Sequence, residues 1–283
     1  MKKIKNITII PNLKKSKVEK QIPGIIKFLE NKGASVFFEQ KIAATLNKKN
    51  YGHSLQFLKQ KSDMILVLGG DGTFLYAAGL FYKESIPTMG INFGNVGFLN
   101  EVQFNSYKKI LSRIIAGEGK IEKRMMLQAK INKKNYHCLN EIAIARGTLS
   151  RILHLDLLIN NTFVSTYRAD GIIFATPTGS TAYSLSAHGP IVLPSLDLII
   201  INPICPHGLG TRPFLANPDV TIQLKIGIDD EEKAYLTLDG RKGIPLSHKT
   251  TIEVAKSQYE IPLIITQNYN FYELLSKKFE WTR

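Results

Sequence analysis

A glycine-rich segment with one carboxylate is the part of the sequence best suited to chemistry. Gly69-Gly70-Asp71-Gly72-Thr73 follows the apolar run at residues 64–68 and opens a helical pattern. Glycines let a ligand approach the backbone, and the free amides at a helix start attract anions. A carboxylate beside a phosphate is repulsive unless it takes a proton from a hydroxyl or holds a divalent cation. The segment therefore predicts phosphoryl transfer to an alcohol, with a plain turn capped by Asp71 as the alternative.

A hydroxyl-rich segment follows a second apolar pattern. Asp170-Gly171 precedes this pattern, and residues 176–186 have the sequence TPTGSTAYSLS. Backbone amides, hydroxyls and the ring of Tyr183 suit a nucleoside and its phosphates, while a capped helix after a Ser/Thr-rich turn is the alternative. The sequence contains no Gly-x-Ser-x-Gly motif, so a nucleophilic serine is not predicted.

Two further features combine polar or turn-forming residues with apolar surroundings. Asn140-Glu141 lies within a β-rich run, where a polar pair is unfavourable unless each side chain has a partner. An asparagine and a glutamate can together bind ribose hydroxyls, and an exposed strand end is the alternative. Residues 94–97 form a weaker turn signal. The histidines and cysteines show no metal-ligand spacing, so no protein-bound metal is predicted.

The elements that must position these residues differ between the two halves of the chain. Up to about residue 120, apolar strands alternate with amphipathic helices, which predicts an α/β sheet with parallel strands. The strands are predicted at residues 4–10, 34–39, 64–68 and 87–93, and the helices at 18–31, ended by Gly33, and at 73–81.

After Lys120 the sequence is rich in β patterns. Asn160-Asn161 predicts a tight hairpin turn, residues 180–188 a helix, and residues 270–281 a terminal helix that packs back on the first domain. The fold class is an α/β N-terminal domain with a parallel sheet (1–120) plus a β-rich C-terminal domain (121–265), followed by a C-terminal segment (266–283). Strands are predicted at 127–132, 136–145, 154–159, 162–167, 171–176, 198–202, 220–226, 234–239 and 250–255.

The composition limits the remaining classes. The 283 residues are 44% hydrophobic, which is enough for a core, but no apolar run approaches the roughly 20 residues of a membrane helix. The net charge is +14, and the first 50 residues hold 12 Lys and 3 Glu. These lysines are scattered, which favours an anionic small substrate over nucleic acid. The short apolar stretch at 7–11 argues against a signal peptide, and two distant cysteines fit a reducing cytoplasm.

Taken in order, the motifs resemble those of bacterial NAD kinases. Residues 68–75, LGGDGTFL, resemble the GGDG motif, and residues 90–99 resemble the GxNxGxLGFL segment, with Val96 where leucine is usual. Residues 139–142 resemble the NE motif, and residues 170–186 match the family's longest signature. The segment from Pro206 to Pro213 also fits. The resemblance runs from about residue 60 to the C-terminus, and the first 60 residues match only in pattern.

The resemblance implies the two-domain fold of NAD kinases and diacylglycerol kinases. It implies transfer of the γ-phosphoryl group of ATP, or of polyphosphate, to the adenosine-ribose 2′-OH of NAD, with Mg²⁺ or another divalent cation, in a homodimer or homotetramer. Asp71 would accept the proton of this hydroxyl. The residues implied for NAD binding are Gly72, Phe98, Asn140, Glu141, Arg151, Arg168, Asp170, Thr181, Ala182, Tyr183, Ser184, Leu185, Ser186 and Arg241.

Several alternatives stay open at this point. Lipid kinases share the GGDGT loop and the layout but lack the long segment at 170–186, and phosphofructokinase-like enzymes share only the loop. A non-catalytic dinucleotide sensor would keep the pocket and lose turnover, against which the presence of Asp71 argues. The sequence does not decide between ATP and polyphosphate as donor, and it leaves the use of NADH, the oligomer size and feedback by NADPH open. It also leaves the roles of Tyr76 and Arg241 open.

Overall fold

The chain divides into two compact units. The computed structural model describes residues 2–94, 97–147, 152–227, 234–248, 250–267 and 269–281. Met1–Lys123 and Ile261–Arg283 form the first unit, and Arg124–Glu260 form the second. The sequence predicts the corresponding boundaries after residues 120 and 265. Over the described ranges, no helix is long and apolar enough to cross a membrane.

The first unit is a parallel sheet covered by helices. Neighbouring strands run parallel in the order β5-β4-β1-β2-β3, with β6 beside β5. These elements are β1 (Asn6–Pro11), α1 (Ser16–Asn31), β2 (Ser35–Glu39), α2 (Gln40–Thr45), β3 (Gly52–His53), α3 (Leu55–Lys61), β4 (Met64–Leu68), α4 (Asp71–Phe81), β5 (Thr88–Asn92), β6 (Val102–Gln103) and α5 (Tyr107–Ile115).

Apolar patterning explains which of these elements the sequence predicts. β4 is buried along its whole length, as expected of a continuous apolar run in a parallel sheet. α1 buries one apolar stripe and ends before Gly33, which has a φ of +75°. The sequence pattern does not predict α2 and α3, because each buries one apolar side chain, Ala43 and Leu58. α5 was missed, although its buried residues lie at helical spacing.

The glycine-rich loop lies where the strand order of the sheet reverses. β1 connects to β2 on one side, whereas β4 connects to β5 on the other. Right-handed crossovers therefore place α1 and α4 on opposite faces of the sheet. At the carboxyl ends of β1 and β4, the amide of Asn12 donates to the carbonyl of Leu68 at 2.8 Å. Open α/β sheets bind ligands in the crevice at this point.

The second unit consists mainly of antiparallel strands. One sheet has the order β11-β10-β15-β18 and the other β14-β13-β12-β9-β16-β17, and apolar side chains of both form one buried cluster. The elements are β7 (Lys120–Ile131), β8 (Lys134–Cys138), β9 (Glu141–Arg146), β10 (Leu153–Ile159), β11 (Thr162–Ala169), β12 (Gly171–Ala175), α6 (Tyr183–Ser186), β13 (Ile199–Ile204), β14 (Phe214–Ala216), β15 (Ile222–Gly227), β16 (Ala234–Leu238), β17 (Arg241–Leu246) and β18 (Thr251–Ile265).

Local predictions in this unit have different outcomes. The hairpin turn between β10 and β11 is confirmed, with φ of 48° at Asn160 and 64° at Asn161. The single strand predicted at 136–145 is wrong: β8 and β9 are separate, and amides between them bond to a side chain instead of a strand.

The helix predicted at 180–188 is also wrong. A 3₁₀ turn at Thr178–Thr181 precedes α6, which has four residues. The Ser180 hydroxyl bonds to the backbone of Val192, accepting at 3.1 Å from its amide. Such side-chain to backbone bonds compete with a regular helix.

The end of the chain lies in the first unit. Leu263 of β18 pairs in parallel with Thr88 of β5. α7 (Phe271–Lys278) then covers the central part of the helix predicted at 270–281. Asn270 caps it, because its side-chain oxygen accepts from the amide of Tyr272 at 3.0 Å.

Candidate active site

The carboxylate of Asp71 is held by the backbone of a second loop. Asp71 is the first residue of α4, and its Oδ2 accepts a hydrogen bond of 2.8 Å from the amide of Phe98. Its Oδ1 accepts bonds of 3.2 Å from the amides of Leu99 and Asn100. A carboxylate has about four acceptor positions. The described residues fill three of these positions, two on Oδ1 and one on Oδ2, so within this part of the chain Oδ2 has room for one more hydrogen bond.

The alternative interpretation of Asp71 as a helix N-cap is wrong. Gly70 occupies the N-cap position, and the Asp71 carboxylate bonds to residues 98–100 rather than to amides of its own helix. A Cβ on Gly97 would lie 1.9 Å from Oδ1 of Asp71, so only glycine leaves room for the carboxylate. A Cβ on Gly70 or Gly72 would meet nothing within 4 Å. The space before α4 is therefore open to a ligand that approaches the helix amides.

The other predicted residues of the first unit surround this carboxylate only in part. The half-buried ring of Phe98 lies 6.1 Å from the rings of Phe271 and Phe279, and Nζ of Lys278 is 5.9 Å away. Phe98 therefore packs mainly against the C-terminal segment, and only its exposed part remains for a nucleoside. Gly72 is exposed on α4, and so is Tyr76, at 43%.

Polar residues of the second unit gather at one edge of a sheet. β9 runs antiparallel to β12 and β16, so Glu141 at its start lies opposite Ala175 at the end of β12. Asn140 and Glu141 are 8% and 4% exposed, so the exposed strand end is wrong. Among described residues, Oδ1 of Asn140 and Oε2 of Glu141 are buried without a hydrogen-bond partner. Buried acceptors normally have partners, and ligand hydroxyls would supply them here.

The side-chain carboxylate of Asp239 fixes Asn140 and Glu141 by binding their backbone amides. Asp239 follows β16 with a φ of 51°, and its Oδ1 accepts from the amide of Asn140 at 2.6 Å and of Glu141 at 3.4 Å. Both carboxylate oxygens accept from the amide of Leu139 at 3.1 Å. These bonds explain why the chain leaves the strand ladder between β8 and β9.

Two neighbouring carboxyl groups, buried at Glu141 and half-buried at Asp239, have raised pKa values. Burial raises the pKa of Glu141 to about 7, and the Asp239 carboxylate adds to the rise, whereas the amides of Tyr183 and Gly240 oppose it. Burial also raises the pKa of Asp239, while the three amides that it accepts and the charge of Arg241 lower it. Glu141 is therefore an acid whose charge changes near neutral pH.

The hydroxyl-rich segment packs directly on the Asn140 backbone. The Thr176 hydroxyl donates to the carbonyl of Leu139 at 2.6 Å and accepts from the amide of Gly179 at 3.0 Å. A Cβ on Gly179 would lie 2.1 Å from the carbonyl oxygen of Asn140. Glycine is thus required for this close approach.

The remaining residues of the segment present a mixed surface. Asn202 of β13 is hydrogen-bonded to α6, since its side-chain amide donates to the carbonyl of Ser184 at 2.9 Å. Burial raises the pKa of Tyr183, and the charges of Cys205, Glu141 and Asp170 raise it further. The predicted residues are half-buried at Thr181, Ala182 and Leu185, buried at Ser184, and exposed at Tyr183 and Ser186.

Asp170 lies at the other end of β12. Gly171 pairs with Ala145 and Ala175 pairs with Glu141, and four residue steps along a strand span about 13 Å. The Asp170 carboxylate is paired with Nε of Arg146 at 2.7 Å. The predicted polar residues of this unit therefore form two groups, which suits an elongated ligand better than a single nucleoside.

The structure describes two of the three predicted arginines. Arg168 is exposed on β11. Arg241 is the first residue of β17, and its charge lowers the pKa of Asp239. Arg151 lies outside the described residues. Sequence reasoning missed Arg146 and Asn100 and gave Asp239 no role. The Asp239-Gly240 pair is a recognisable turn signal, whereas nothing in the pattern distinguishes Arg146 or Asn100.

A doubly wound α/β unit with a carboxylate at its switch point, joined to a β-rich unit with unfilled acceptors, defines a two-domain kinase that acts on a hydroxyl group. Residues 7–119 match the ATP-NAD kinase N-terminal domain, and residues 139–266 match the ATP-NAD kinase C-terminal domain. The chain is 40% identical over 280 residues to the NAD kinase of Thermoanaerobacter sp. (strain X514), covering 97% of this chain and 99% of that one. It belongs to the NAD kinase family, whose reaction is the phosphorylation of NAD to NADP.

Other relatives agree with this membership. The NAD kinase of Citrifermentans bemidjiense is 34% identical over 264 residues, 91% of this chain and 92% of that one. A yeast NADH kinase complexed with NADH superposes with a TM-score of 0.88 at 27% identity, covering 100% of this chain and 89% of that chain. An Archaeoglobus fulgidus NAD kinase complexed with ATP superposes with a TM-score of 0.79 at 23% identity, covering 96% of this chain and 98% of that chain. At this identity the match shows the fold alone. The predicted fold class is confirmed, and the lipid-kinase and phosphofructokinase-like alternatives are wrong.

Proposed function

We propose that this kinase transfers the γ-phosphoryl group of ATP to the adenosine-ribose 2′-OH of NAD, with Asp71 as the proton acceptor. The observation that carries the proposal is the Asp71 carboxylate, which three amides orient and whose Oδ2 accepts one hydrogen bond from the described residues. A ribose hydroxyl has a pKa far above 7, so the proton leaves as attack proceeds. The 2′ oxygen bonds to the γ-phosphorus, the bond from that phosphorus to the β-γ bridging oxygen breaks, ADP leaves, and Asp71 takes the proton.

The polar edge of the second unit is proposed to bind the nucleoside parts of NAD. Oδ1 of Asn140 and Oε2 of Glu141 accept hydrogen bonds from ribose hydroxyls, which satisfies two buried acceptors. The ring of Tyr183, 41% exposed, packs against the ligand. Asp170 and the segment from Thr181 to Ser186 bind further along it. Roles in NAD binding are likewise proposed for Gly72, Phe98, Arg151, Arg168 and Arg241.

The donor phosphates are proposed to bind in a cavity at the carboxyl end of β5. A cavity of about 430 Å³ in the first unit is lined by Asn92 and Gly94 at the end of β5 and by Lys17 and Lys20 of α1. The lysines attract an anionic donor. ATP is the proposed donor because both matched family models are those of ATP-NAD kinases, and polyphosphate is tested beside it. NADH is the second acceptor to test, because the yeast relative was crystallised with NADH.

Mg²⁺ or another divalent cation is proposed to accompany the donor. In the described part of the chain, no group of three His, Cys, Asp or Glu residues could hold a metal ion. Among the described residues, this fits a cation held mainly by substrate phosphates. When bound, such a cation neutralises phosphate charge.

Location and assembly are also proposed from the structure. Cys138 and Cys205 are both free, which fits a reducing cytoplasm. A homodimer or homotetramer is supported by β11, a terminal strand of its sheet that exposes Phe163 at 59% and Val164 at 43%. Light scattering of the purified chain tests the assembly, and a monomeric mass would contradict it.

The deciding experiment measures NADP formation from NAD, ATP and Mg²⁺ with an NADP-specific dehydrogenase. We expect Asp71→Asn to lower kcat by about 10²–10⁴-fold while NAD still binds. Asp71→Glu is expected to lose roughly 10²-fold, because the added methylene moves the oxygens by about 1 Å. Asp63→Asn is the matched control. The Asp63 carboxylate also accepts hydrogen bonds from backbone amides, those of Lys5 and Asn6, but at the amino ends of β4 and β1.

Each outcome of this experiment has a consequence. Near-wild-type turnover in Asp71→Asn would exclude Asp71 as the base. NAD binding without NADP formation from ATP or polyphosphate in the wild-type chain would support a dinucleotide sensor. Activity with polyphosphate but not with ATP would replace the proposed donor.

A further inference from the structure

We propose that Asn100 is a positioning residue that fixes the Asp71 carboxylate relative to the glycine-rich loop. The inference rests on the proposed role of Asp71 as proton acceptor. Asn100 is fully buried, at 0% exposure. Its backbone amide donates to Oδ1 of Asp71 at 3.2 Å, and its side-chain Nδ2 donates to the carbonyl of Gly69 at 3.2 Å. One residue therefore binds both the carboxylate and the backbone that precedes it.

The packing around Asn100 supports a role for the side-chain amide. A Cβ on Gly90 in β5 would lie 1.4 Å from Oδ1 of Asn100 and 2.2 Å from its Cγ. Glycine within a strand is unfavourable and often marks a close approach of another group. The side chain thus occupies the space that a residue of β5 would normally fill. The loop itself is closed by a bond of 3.3 Å from the amide of Gly97 to the carbonyl of Asn100.

The NH₂ group of the Asn100 side chain forms the hydrogen bond on which the inference rests. Over the described ranges, Oδ1 of Asn100 is buried without a partner, so the hydrogen bond from Nδ2 to Gly69 is the polar contact that this side chain contributes. An apolar residue of similar size would fill the space without an unpaired acceptor. A buried asparagine here is therefore explained by the bond that joins residues 98–100 to the glycine-rich loop.

Loss of this bond would act on catalysis through Asp71. The three amides that orient the carboxylate all belong to residues 98–100. When these residues shift relative to Gly69, the carboxylate shifts with them, although no group that touches NAD has been removed. A displacement of about 1 Å at a reacting group can lower the rate roughly 10²-fold.

The test compares steady-state kinetics of Asn100→Ala, Asn100→Asp and Thr88→Val with the wild-type chain. Thr88→Val is the control, because Thr88 is a buried polar residue at the other end of β5. We expect Asn100→Ala to lower kcat about 10- to 100-fold with KM for NAD changed less than about threefold. Thr88→Val is expected to keep the wild-type kcat. Unfolding curves establish that each variant is folded.

The pH profile separates positioning from general destabilisation. In Asn100→Asp an ionised carboxylate faces the carbonyl of Gly69 and repels it, whereas the protonated acid can donate to this carbonyl. We expect the activity of Asn100→Asp, relative to wild type, to rise as the pH is lowered from 8 to 6. The relative activity of Asn100→Ala stays constant over the same range, because alanine does not titrate.

Several results would overturn the proposal. These are a wild-type kcat in Asn100→Ala, an effect on KM alone, an equal loss in Thr88→Val, or a flat relative pH profile in Asn100→Asp. If Asn100→Ala does not fold, Gly90→Ala replaces it, since the added methyl displaces the Asn100 amide without removing it, and an unchanged kcat would then contradict the inference. Near-wild-type turnover in Asp71→Asn contradicts the proposed base itself, which separates the two failures.

Discussion

The carboxylate of Asp239 accepts a hydrogen bond of 2.6 Å from the backbone amide of Asn140, 99 residues earlier in the chain. The same carboxylate accepts from the amides of Leu139 and Glu141. In the first unit, Asp71 accepts in the same way from three consecutive amides, those of residues 98–100. Both aspartates are half-buried, but they differ in their bonds: Oδ1 of Asp239 accepts from all three amides of residues 139–141, and burial raises the pKa of this carboxyl group. Asp239 is therefore better suited to holding a loop than to chemistry.

Asp239→Asn tests this structural role. The asparagine would place its NH₂ group where Oδ2 accepts from the amide of Leu139, so two donors face each other there, and the loss of negative charge weakens the bonds that Oδ1 accepts. We expect KM for NAD to rise about tenfold, and the free energy of unfolding to fall by about 1–3 kcal/mol. Kinetics and urea unfolding measure both effects. Asp156→Asn is the control, because Asp156 accepts from Thr166 on an exposed part of the same unit, and equal effects in the two variants would contradict the role.

Glu141 predicts how stability depends on pH. Burial and Asp239 raise its pKa from 4.5 to about 7, so the folded chain keeps a proton that the unfolded chain has lost in this window. The contribution to stability is complete below about pH 4.5 and is lost as the pH rises through 7; a shift of this size corresponds to about 3 kcal/mol. Glu141→Gln does not titrate, so its free energy of unfolding should fall less between pH 5 and pH 8.

Urea unfolding at pH 5, 6, 7 and 8 measures this difference. Glu253→Gln serves as the control, because the Glu253 side chain is 39% exposed and paired with Lys130 in the same unit. The control is expected to follow the wild-type curve. Parallel curves for wild type and Glu141→Gln would show that Glu141 is not the titrating group.

Local signals made much of the fold and part of the site predictable. The apolar run of β4 and the glycines after it are contiguous, so they predict a buried strand, a loop and a helix with Asp71 at the junction. The hairpin at Asn160-Asn161 is equally local, since both residues adopt the positive φ that such turns require. α5 carries a readable apolar stripe and could have been predicted in the same way.

The contacts that complete the site depend on tertiary structure. Asp71 meets Phe98 across 27 residues, and the burial of Asn140 and Glu141 depends on pairing with β12 and on Asp239 almost 100 residues away. No period in the sequence encodes these distances. For the same reason Asn140-Glu141 could be interpreted as an exposed strand end, although the structure buries both residues.

Gly97→Ala tests the orientation of Asp71 without changing the carboxylate. The added Cβ would lie 1.9 Å from Oδ1 of Asp71, so the carboxylate or its loop must move. We expect kcat to fall roughly 10²-fold and stability by about 1–3 kcal/mol. Gly79→Ala is the matched control, because a Cβ there meets nothing within 4 Å and alanine favours the helix by about 0.5–1 kcal/mol. A wild-type kcat in Gly97→Ala would mean that the carboxylate tolerates displacement.

Arg146→Ala separates ligand binding from stability in the second unit. The pair between Arg146 Nε and Asp170 is 2.7 Å long, but both side chains are 35% exposed, so solvent weakens its contribution to well under about 1 kcal/mol. Its proposed importance lies in orienting Asp170 toward NAD. We therefore expect KM for NAD to rise about fivefold, equivalent to roughly 1 kcal/mol, with little change in kcat or in the unfolding midpoint.

Arg113→Ala provides the comparison that decides between these two effects. Arg113 forms an exposed ion pair of 3.0 Å with Glu118 in the first unit. Both substitutions remove one arginine and one partly exposed ion pair, so the general loss of positive charge and of surface packing is the same. If KM rises in Arg146→Ala alone, the effect belongs to Asp170 and its position beside the ligand. If both variants raise KM equally, overall charge attracts the anionic substrates and Arg146 has no local role.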